Sequence, residues 1–335
     1  MKTRLLLSLS AALCLQPHFA FAAAGNSAGQ VLKLGAGARQ AALGDTGTTD
    51  AGDSLAVFWN PAGLGLADRC SVAAGHSRLV DSSGYSSLSA ACPTRYGVFA
   101  AGWQYLSYGT LDSLDNTGAV DGEFSPSERV VSAAWGLASA DKTLLAGAAV
   151  KQVSVTIDAS ASALAADLGV IKRFSVFSLG AALKNAGQQV EFNRVSENLP
   201  RTLKAGARAD LERVSLMLDT NSAKDGAWLS GGAEFWLSRG GEDAPVALRA
   251  GYTTRAKAGG LNFSLGCGIT ENAWGLDYAF VSSGDLGATH HFTLSYLFDK
   301  PGAGKKKSGP RARPFDGRPG PATDKLILLP AENFR

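Results

Sequence analysis

The chain has 335 residues, 18% of them charged and 40 of them glycine, with a formal net charge of +3. That charge is uneven: the stretch from Asp299 onward carries +5 and the first 22 residues +2, so the body between them carries −4 and is not a basic nucleic-acid-binding domain. Beyond the first 22 residues only Cys70, Cys92 and Cys267 remain, too few for a fold built on disulfides.

The chain opens with a secretory signal. Lys2 and Arg4 precede a short apolar run from Leu5 to Leu15, and Ala20-Phe21-Ala22 forms a cleavage site, which places residues 1–22 in a signal peptide cut after Ala22. The run is too short to cross a bilayer as a helix. Leu13 stands before Cys14 where a lipoprotein signal carries a small residue.

Residues 23–68 follow no strand pattern. GAGARQAALGDTGTTDAGDS is rich in Gly and Ala, and SLAVFWNPAGLG sets Phe58 and Trp59 against Asn60-Pro61-Ala62-Gly63. Asn-Pro starts turns, and Pro61 pushes Asn60 out of the helical region. The segment is too apolar for a linker and too short for a domain.

Residues 69–298 have a period of two. Leu261, Phe263, Leu265, Cys267 and Ile269 alternate with Asn262, Ser264, Gly266 and Gly268. Trp274, Leu276, Tyr278 and Phe280 likewise oppose Gly275, Asp277 and Ala279, and Phe292, Leu294, Tyr296 and Phe298 share a face. Fourteen such segments start near Arg69, Tyr85, Tyr96, Ser127, Thr143, Ala161, Val176, Pro200, Arg213, Ala227, Pro245, Gly260, Asn272 and Ala288. Their connections alternate in length. LVDSSG, Ser107–Glu128 and Asn185–Leu199 are long, whereas CPTR, SADK, Leu211-Glu212 and TENA are tight.

The second face carries the charges, among them Lys151, Asp167, Lys184, Lys204, Arg208, Asp210, Glu234, Arg249 and Asp277. Alternation alone also fits a secreted sandwich with that face in water. The signal peptide, the nearly uncharged Leu/Phe/Ala face and the aromatic last strand ending at Phe298 favour an all-β, 14-stranded antiparallel transmembrane barrel. An even strand number puts both barrel ends on the periplasmic side of the cell outer membrane, with outer-membrane lipid as the first partner. A lumen of that size is too wide for wall side chains to fill, which leaves room for residues 23–68 inside. Residues 299–335, rich in Pro, Gly, Lys and Arg, read as a disordered basic periplasmic tail.

The leading segment GAGARQAALGDTGTTDAGDSLAVFWNPAGL resembles the start of the PorV/PorQ family, a branch of the FadL-like outer-membrane barrels. YLSYGTLDSLDNTG with GEFSPSE, LGAALKNAGQ with NLPRTLKAGA, and ALRAGYTT also look like that family, over about Gly35 to Phe298. The resemblance implies a short N-terminal helical hatch in the lumen. In that reading Asn60, Pro61, Ala62 and Gly63 make the turn that seats it, and Phe58 and Trp59 pack in the lumen or at the seam. It further implies an accessory or shuttle role in type IX-like protein secretion, with secreted cargo proteins and a surface attachment complex as partners at the two long outer loops. The alternative within the superfamily is a FadL-like passive channel for hydrophobic small molecules such as fatty acids. The basic tail departs from the family pattern.

No enzyme is expected, and no cofactor or metal. His76, His290 and His291 lack ligand spacing, since the adjacent pair lies on opposite faces of a strand. His76 or His290 could serve as the base of a surface lipase, but nothing identifies a partner Ser. GAGARQ lacks the third Gly and the preceding strand of a dinucleotide loop. If the first two strands form a hairpin centred on Asp81, Cys70 faces Cys92, which allows a cross-strand disulfide. Cys267 falls on the lipid face as a small hydrophobe.

Overall fold

The computed structural model describes residues 27–79, 83–157, 159–192, 195–237, 245–255, 262–282, 284 and 287–299. The signal peptide, the tail beyond Asp299 and the centre of the first hairpin lie outside the described residues.

Fourteen strands close a single antiparallel barrel. They are β1 (Ser71–Arg78), β2 (Gly84–Thr94), β3 (Gly97–Ser107), β6 (Ser127–Ala138), β7 (Leu144–Thr156), β8 (Ser160–Arg173), β9 (Phe177–Gly187), β12 (Thr202–Asp210), β13 (Val214–Ala223), β14 (Gly226–Trp236), β15 (Val246–Thr253), β16 (Phe263–Glu271), β17 (Trp274–Ser282) and β18 (Ala288–Leu297). Each begins within three residues of the start expected from alternation. The barrel closes through β1 and β18, in register from Ser71↔Leu297 to Arg78↔His290. Two two-stranded ribbons lie outside the barrel sheet: β4 (Leu111–Leu114) with β5 (Val120–Phe124), and β10 (Gln189–Phe192) with β11 (Val195–Asn198). They occupy two of the long connections, so one end of the barrel carries the ribbons. The other end carries the tight turns and both ends of the barrel sheet.

The two faces of the wall are chemically opposite. Leu88, Trp103, Val131, Val150, Leu164, Leu203, Leu218, Leu265 and Phe292 point outward and are exposed. The outward or partly exposed charges Arg78, Arg129, Lys172, Arg173 and Glu271 sit near strand ends. Lys151, Asp167, Lys204, Arg208, Asp219, Glu234 and Arg249 point inward and are buried. In water this arrangement would be inverted, because a bare apolar belt costs free energy in proportion to its area. Strands of 8–14 residues suit a bilayer crossing.

The lumen is filled by residues 27–68. The segment begins at the ribbon end, where the Ala28 N–H bonds the Asn198 carbonyl and the Val31 N–H bonds Glu128 Oε2. It crosses the barrel through two short helices, Ala38–Ala42 and Ala56–Trp59, and a 3-10 turn, Pro61–Leu66, that leaves at the tight-turn end. Gly136, Gly147 and Gly169 are successive cross-strand partners on β6, β7 and β8. A Cβ at any of them would run into Leu64, Pro61 or Asn60. The wall is bare there because the hatch backbone lies directly on it.

Candidate functional site

The turn Asn60-Pro61-Ala62-Gly63 seats the hatch. Asn60 is extended, at φ −149° and ψ 109°, as a residue before proline should be, and it is fully buried. Its amide donates to the Thr48 carbonyl at 2.7 Å, and its side-chain oxygen accepts from the Ala62 N–H at 3.1 Å. One side chain thus caps its own turn and ties it to a neighbouring loop. Pro61 fixes φ at the start of the 3-10 turn and rests against Gly147. Gly63 has no Cβ because the Asp50 carbonyl passes over it, while the Gly52 N–H bonds the Gly63 carbonyl. Phe58 packs on Gly102 of β3. The Trp59 Nε1–H bonds the Ala36 carbonyl at 2.7 Å, and the indole covers Gly35 and Gly47. Burying two such rings contributes about 1.5–3 kcal/mol each.

On the opposite side charge is added to close packing of Leu43, Gly44 and Ala42 on the wall glycines Gly232, Gly251 and Gly266. Arg39 grips Glu234 with Nε and Nη2, both at 2.9 Å, and reaches Asp50 with Nη1 at 3.1 Å. Arg249 bonds the same Glu234 at 2.8 Å and Asp277 at 2.6 Å. Arg208 joins Asp50 to Asp210. Asp219 Oδ2 accepts from the Gly47 and Thr48 N–H groups and from the Thr48 hydroxyl. Burial works against the Arg39 charge, but Asp50 and Glu234 outweigh it and hold its pKa well above the ordinary value. At Asp53 the balance is reversed, because Arg39 and the Leu55 N–H only partly offset burial. Burial and then Asp50 push it up to about 6.

A register break lies between β8 and β9. Ala166 pairs with Ala186, but Leu168 pairs with Leu183, so Asp167 alone faces Lys184 and Asn185. Asn185 adopts a left-handed φ of 56°. The Asp167 carboxylate accepts the Asn185 N–H at 2.7 Å in place of a ladder bond, and Lys151 pairs with Asp167 at 2.6 Å and with Asn185 Oδ1 at 3.0 Å. The break is a bulge pinned by side chains. Hollows flank it on both faces. Outside, an apolar groove of about 450 Å³ runs past Val131, Val150, Leu164, Ala166 and Ala186. Inside, a cleft between hatch and wall is lined by Lys184 and Asn185 together with Phe58, Trp59, Trp228 and Leu34.

The remaining residues singled out in the sequence fall elsewhere. Cys70 and Cys92 are joined by a disulfide at the tight-turn end of the first hairpin, with Cα atoms 4.1 Å apart. Cys267 is free and exposed. His76 Nδ1 lies 3.0 Å from Ser86 Oγ on exposed wall, and His291 bonds Ser77 and Thr289. Among the described residues no carboxylate orients His76, so this is a cross-strand hydrogen bond without the third group a nucleophile and base require. The two ribbons do share one rim, and the buried Val190 of β10 packs with the hatch residues Ala28 and Val31.

The luminal contacts missed by sequence reasoning are those made by Arg39, Asp50 and Thr48. The inward charges of the wall were legible from alternation, but what they hold was not. The signal was present as Arg and Asp inside an otherwise small, apolar segment.

No family model and no curated protein matches the chain. Solved structures do. The toluene transporter TodX of Pseudomonas putida is 13% identical with a TM-score of 0.57, covering 78% of this chain and 96% of its own. A TodX deltaS2S3 mutant, described as a monoaromatic hydrocarbon channel, is 14% identical with a TM-score of 0.57, covering 78% and 97%. The toluene transporter TbuX of Ralstonia pickettii is 13% identical with a TM-score of 0.55, covering 79% and 99%. At these identities the likeness is one of fold, and the fold is a closed 14-stranded barrel with a luminal hatch.

Proposed function

We propose that the chain is an outer-membrane channel for hydrophobic small molecules, the second of the two roles implied by the sequence resemblance. The observation that carries this reading is the pair of hollows on opposite faces of the β8–β9 bulge. A solute entering at the ribbon end meets the aromatic rings of the inner cleft. The bulge interrupts the wall beside that cleft, since a side-chain bond stands in for a ladder bond there. Beyond it lies an apolar groove open to lipid. The hatch closes the lumen to water, and a shift of the hatch off Lys184, which now bonds the Phe58 carbonyl, would open a sideways path at the bulge without opening a wide aqueous pore. In this reading the ribbon end faces outward, the tight-turn end faces the periplasm and lipid surrounds the belt. Nothing in the site calls for a reacting group.

The names of the solved relatives support the same choice. Protein secretion of the PorV/PorQ kind draws support only from the sequence motifs and from two ribbons that could form a protein-binding rim.

The test is uptake of radiolabelled toluene by cells whose outer membrane carries lipopolysaccharide, with and without the protein. Faster uptake with the protein supports a channel. Unchanged uptake, together with recovery of secreted proteins sharing a C-terminal sorting domain on pull-down, would replace it with the secretion role.

A further inference from the structure

The inner cleft carries more donors than the wall and hatch satisfy. Lys184 Nζ has the Phe58 carbonyl as its hydrogen-bond acceptor. Lys204 is 7% exposed, its nearest carboxylate oxygen is that of Asp219 at 3.9 Å, and its ammonium lies 4.7 Å over the Trp59 ring. Asn221 is 2% exposed, lines the cleft, and its Nδ2 is buried without a hydrogen-bond partner. Arg255 stacks on Trp228 at 4.7 Å and gives one N–H to the Lys33 carbonyl. The cleft lining holds four cations, Lys33, Lys184, Lys204 and Arg255, against two carboxylates, Asp45 and Asp225. Lys33 and Asp225 already pair at 2.9 Å.

A neutral hydrocarbon in this cleft would leave these donors unmet, and an unmet buried donor costs free energy. An acceptor-rich anion meets them, and charge-assisted hydrogen bonds are the stronger kind. With the hatch seated the cleft holds only about 60 Å³, so a ligand enters it as hatch and wall part, and the indoles of Trp59 and Trp228 at its edge favour a flat body. We infer that the cleft is a binding site for an aromatic carboxylate, its carboxylate taken by Lys184, Lys204 and Asn221 and its ring lying against Trp59 and Trp228. This rests on the channel reading and adds an anion site beside a path that neutral hydrocarbons cross without being held in the cleft.

Benzoate and toluene make the test, because one carries a carboxylate where the other carries a methyl. Binding of radiolabelled benzoate to the purified full chain in a nonionic detergent is measured by equilibrium dialysis, with toluene as competitor. The inference expects saturable benzoate binding that toluene does not displace and that rising salt weakens. It expects a loss of about tenfold or more in Lys204→Gln. Lys184→Gln and Asn221→Leu are measured alongside, so the test stands if one variant does not assemble. Toluene displacing benzoate at equal concentration, or binding unchanged in the variants, overturns it. Absence of benzoate binding in a protein that still speeds toluene uptake by cells would overturn the anion site and leave the channel standing. Loss of both would remove the channel as well.

Discussion

Where the hatch faces β6, β7 and β8 it meets the wall mainly through carbon and bare backbone; where it faces β12 to β17 it also lies on bare glycines, with Leu43, Gly44 and Ala42 over Gly232, Gly251 and Gly266, and adds a network of charge. On the first side Pro61, Leu64 and Gly65 lie on Gly136 and Gly147, with Leu145 and Ile171 buried nearby. On the second side Arg39, Asp50 and the Gly47-Thr48 turn engage Glu234, Arg208 and Asp219. The two contacts do different work. Close packing of this kind specifies one position, because a side chain added at a bare site has nowhere to go. A buried ion-pair network is held against a large desolvation cost, so it fixes orientation and is vulnerable to the loss of one member.

The strongest way to break the comparison is to fill the bare side. Gly147→Leu puts a side chain where the Pro61 carbonyl and Ala62 lie. The strands should still pair, and the hatch should lose its seat. Conductance in planar bilayers is expected to rise from closed to that of an open wide pore, and a closed channel would mean that this face does not locate the hatch.

Glu234→Ala attacks the charged side and leaves Arg39 and Arg249 short of a partner. It should cost about 3–5 kcal/mol, the usual penalty for an uncompensated buried charge. Denaturant titration of the hatch, followed by protease accessibility of residues 27–68, reads it. Asn60→Ala sits between the two sides. It removes the cap on Ala62 and the bond to Thr48, at about 1–3 kcal/mol. Amide exchange should quicken in the hatch while the barrel strands remain protected.

The smallest effect sharpens the charged side. Asp53, raised from 3.8 to about 6, favours docking fully below pH 3.8, and that contribution is lost as pH rises through about 6. Asp53→Asn should therefore hold the hatch better than the native chain at pH 8 and equally well at pH 3.5. A variant no better at pH 8 would place the charge of Asp53 in a solvated position.

The wall was legible because a barrel strand writes its environment into every second residue. Lipid selects Leu265 and Phe292, and the lumen selects Glu234 and Arg249. That Cys70 faces Cys92 followed from the same count, taken across one hairpin; that they are bonded did not. The hatch was legible as a break in that pattern, and Asn60-Pro61 as its turn. Its contacts were not, because they join residues such as Arg39 and Glu234, 195 positions apart, and alternation says which way a side chain points without saying what it meets. The wall glycines were counted but unexplained, since a missing side chain becomes meaningful only when the surface opposite is known. The β8–β9 bulge was also hidden: Asp167 and Lys184 read as ordinary inward positions and Asn185 as the start of a long connection, and only the register sets one against two.

The central claim is that solute passes only when the hatch and wall part. Ser54 of the hatch and Ser89 of β2 are both buried with their hydroxyl oxygens 2.8 Å apart. Ser54→Cys with Ser89→Cys, made together in a chain that also carries Cys70→Ser and Cys92→Ser, gives a lock that oxidation closes and a reductant opens. Toluene uptake by cells carrying this variant should stop on oxidation and return on reduction, while the same chain with Ser54 and Ser89 intact responds to neither treatment. Uptake that continues unchanged with the lock closed would contradict the account.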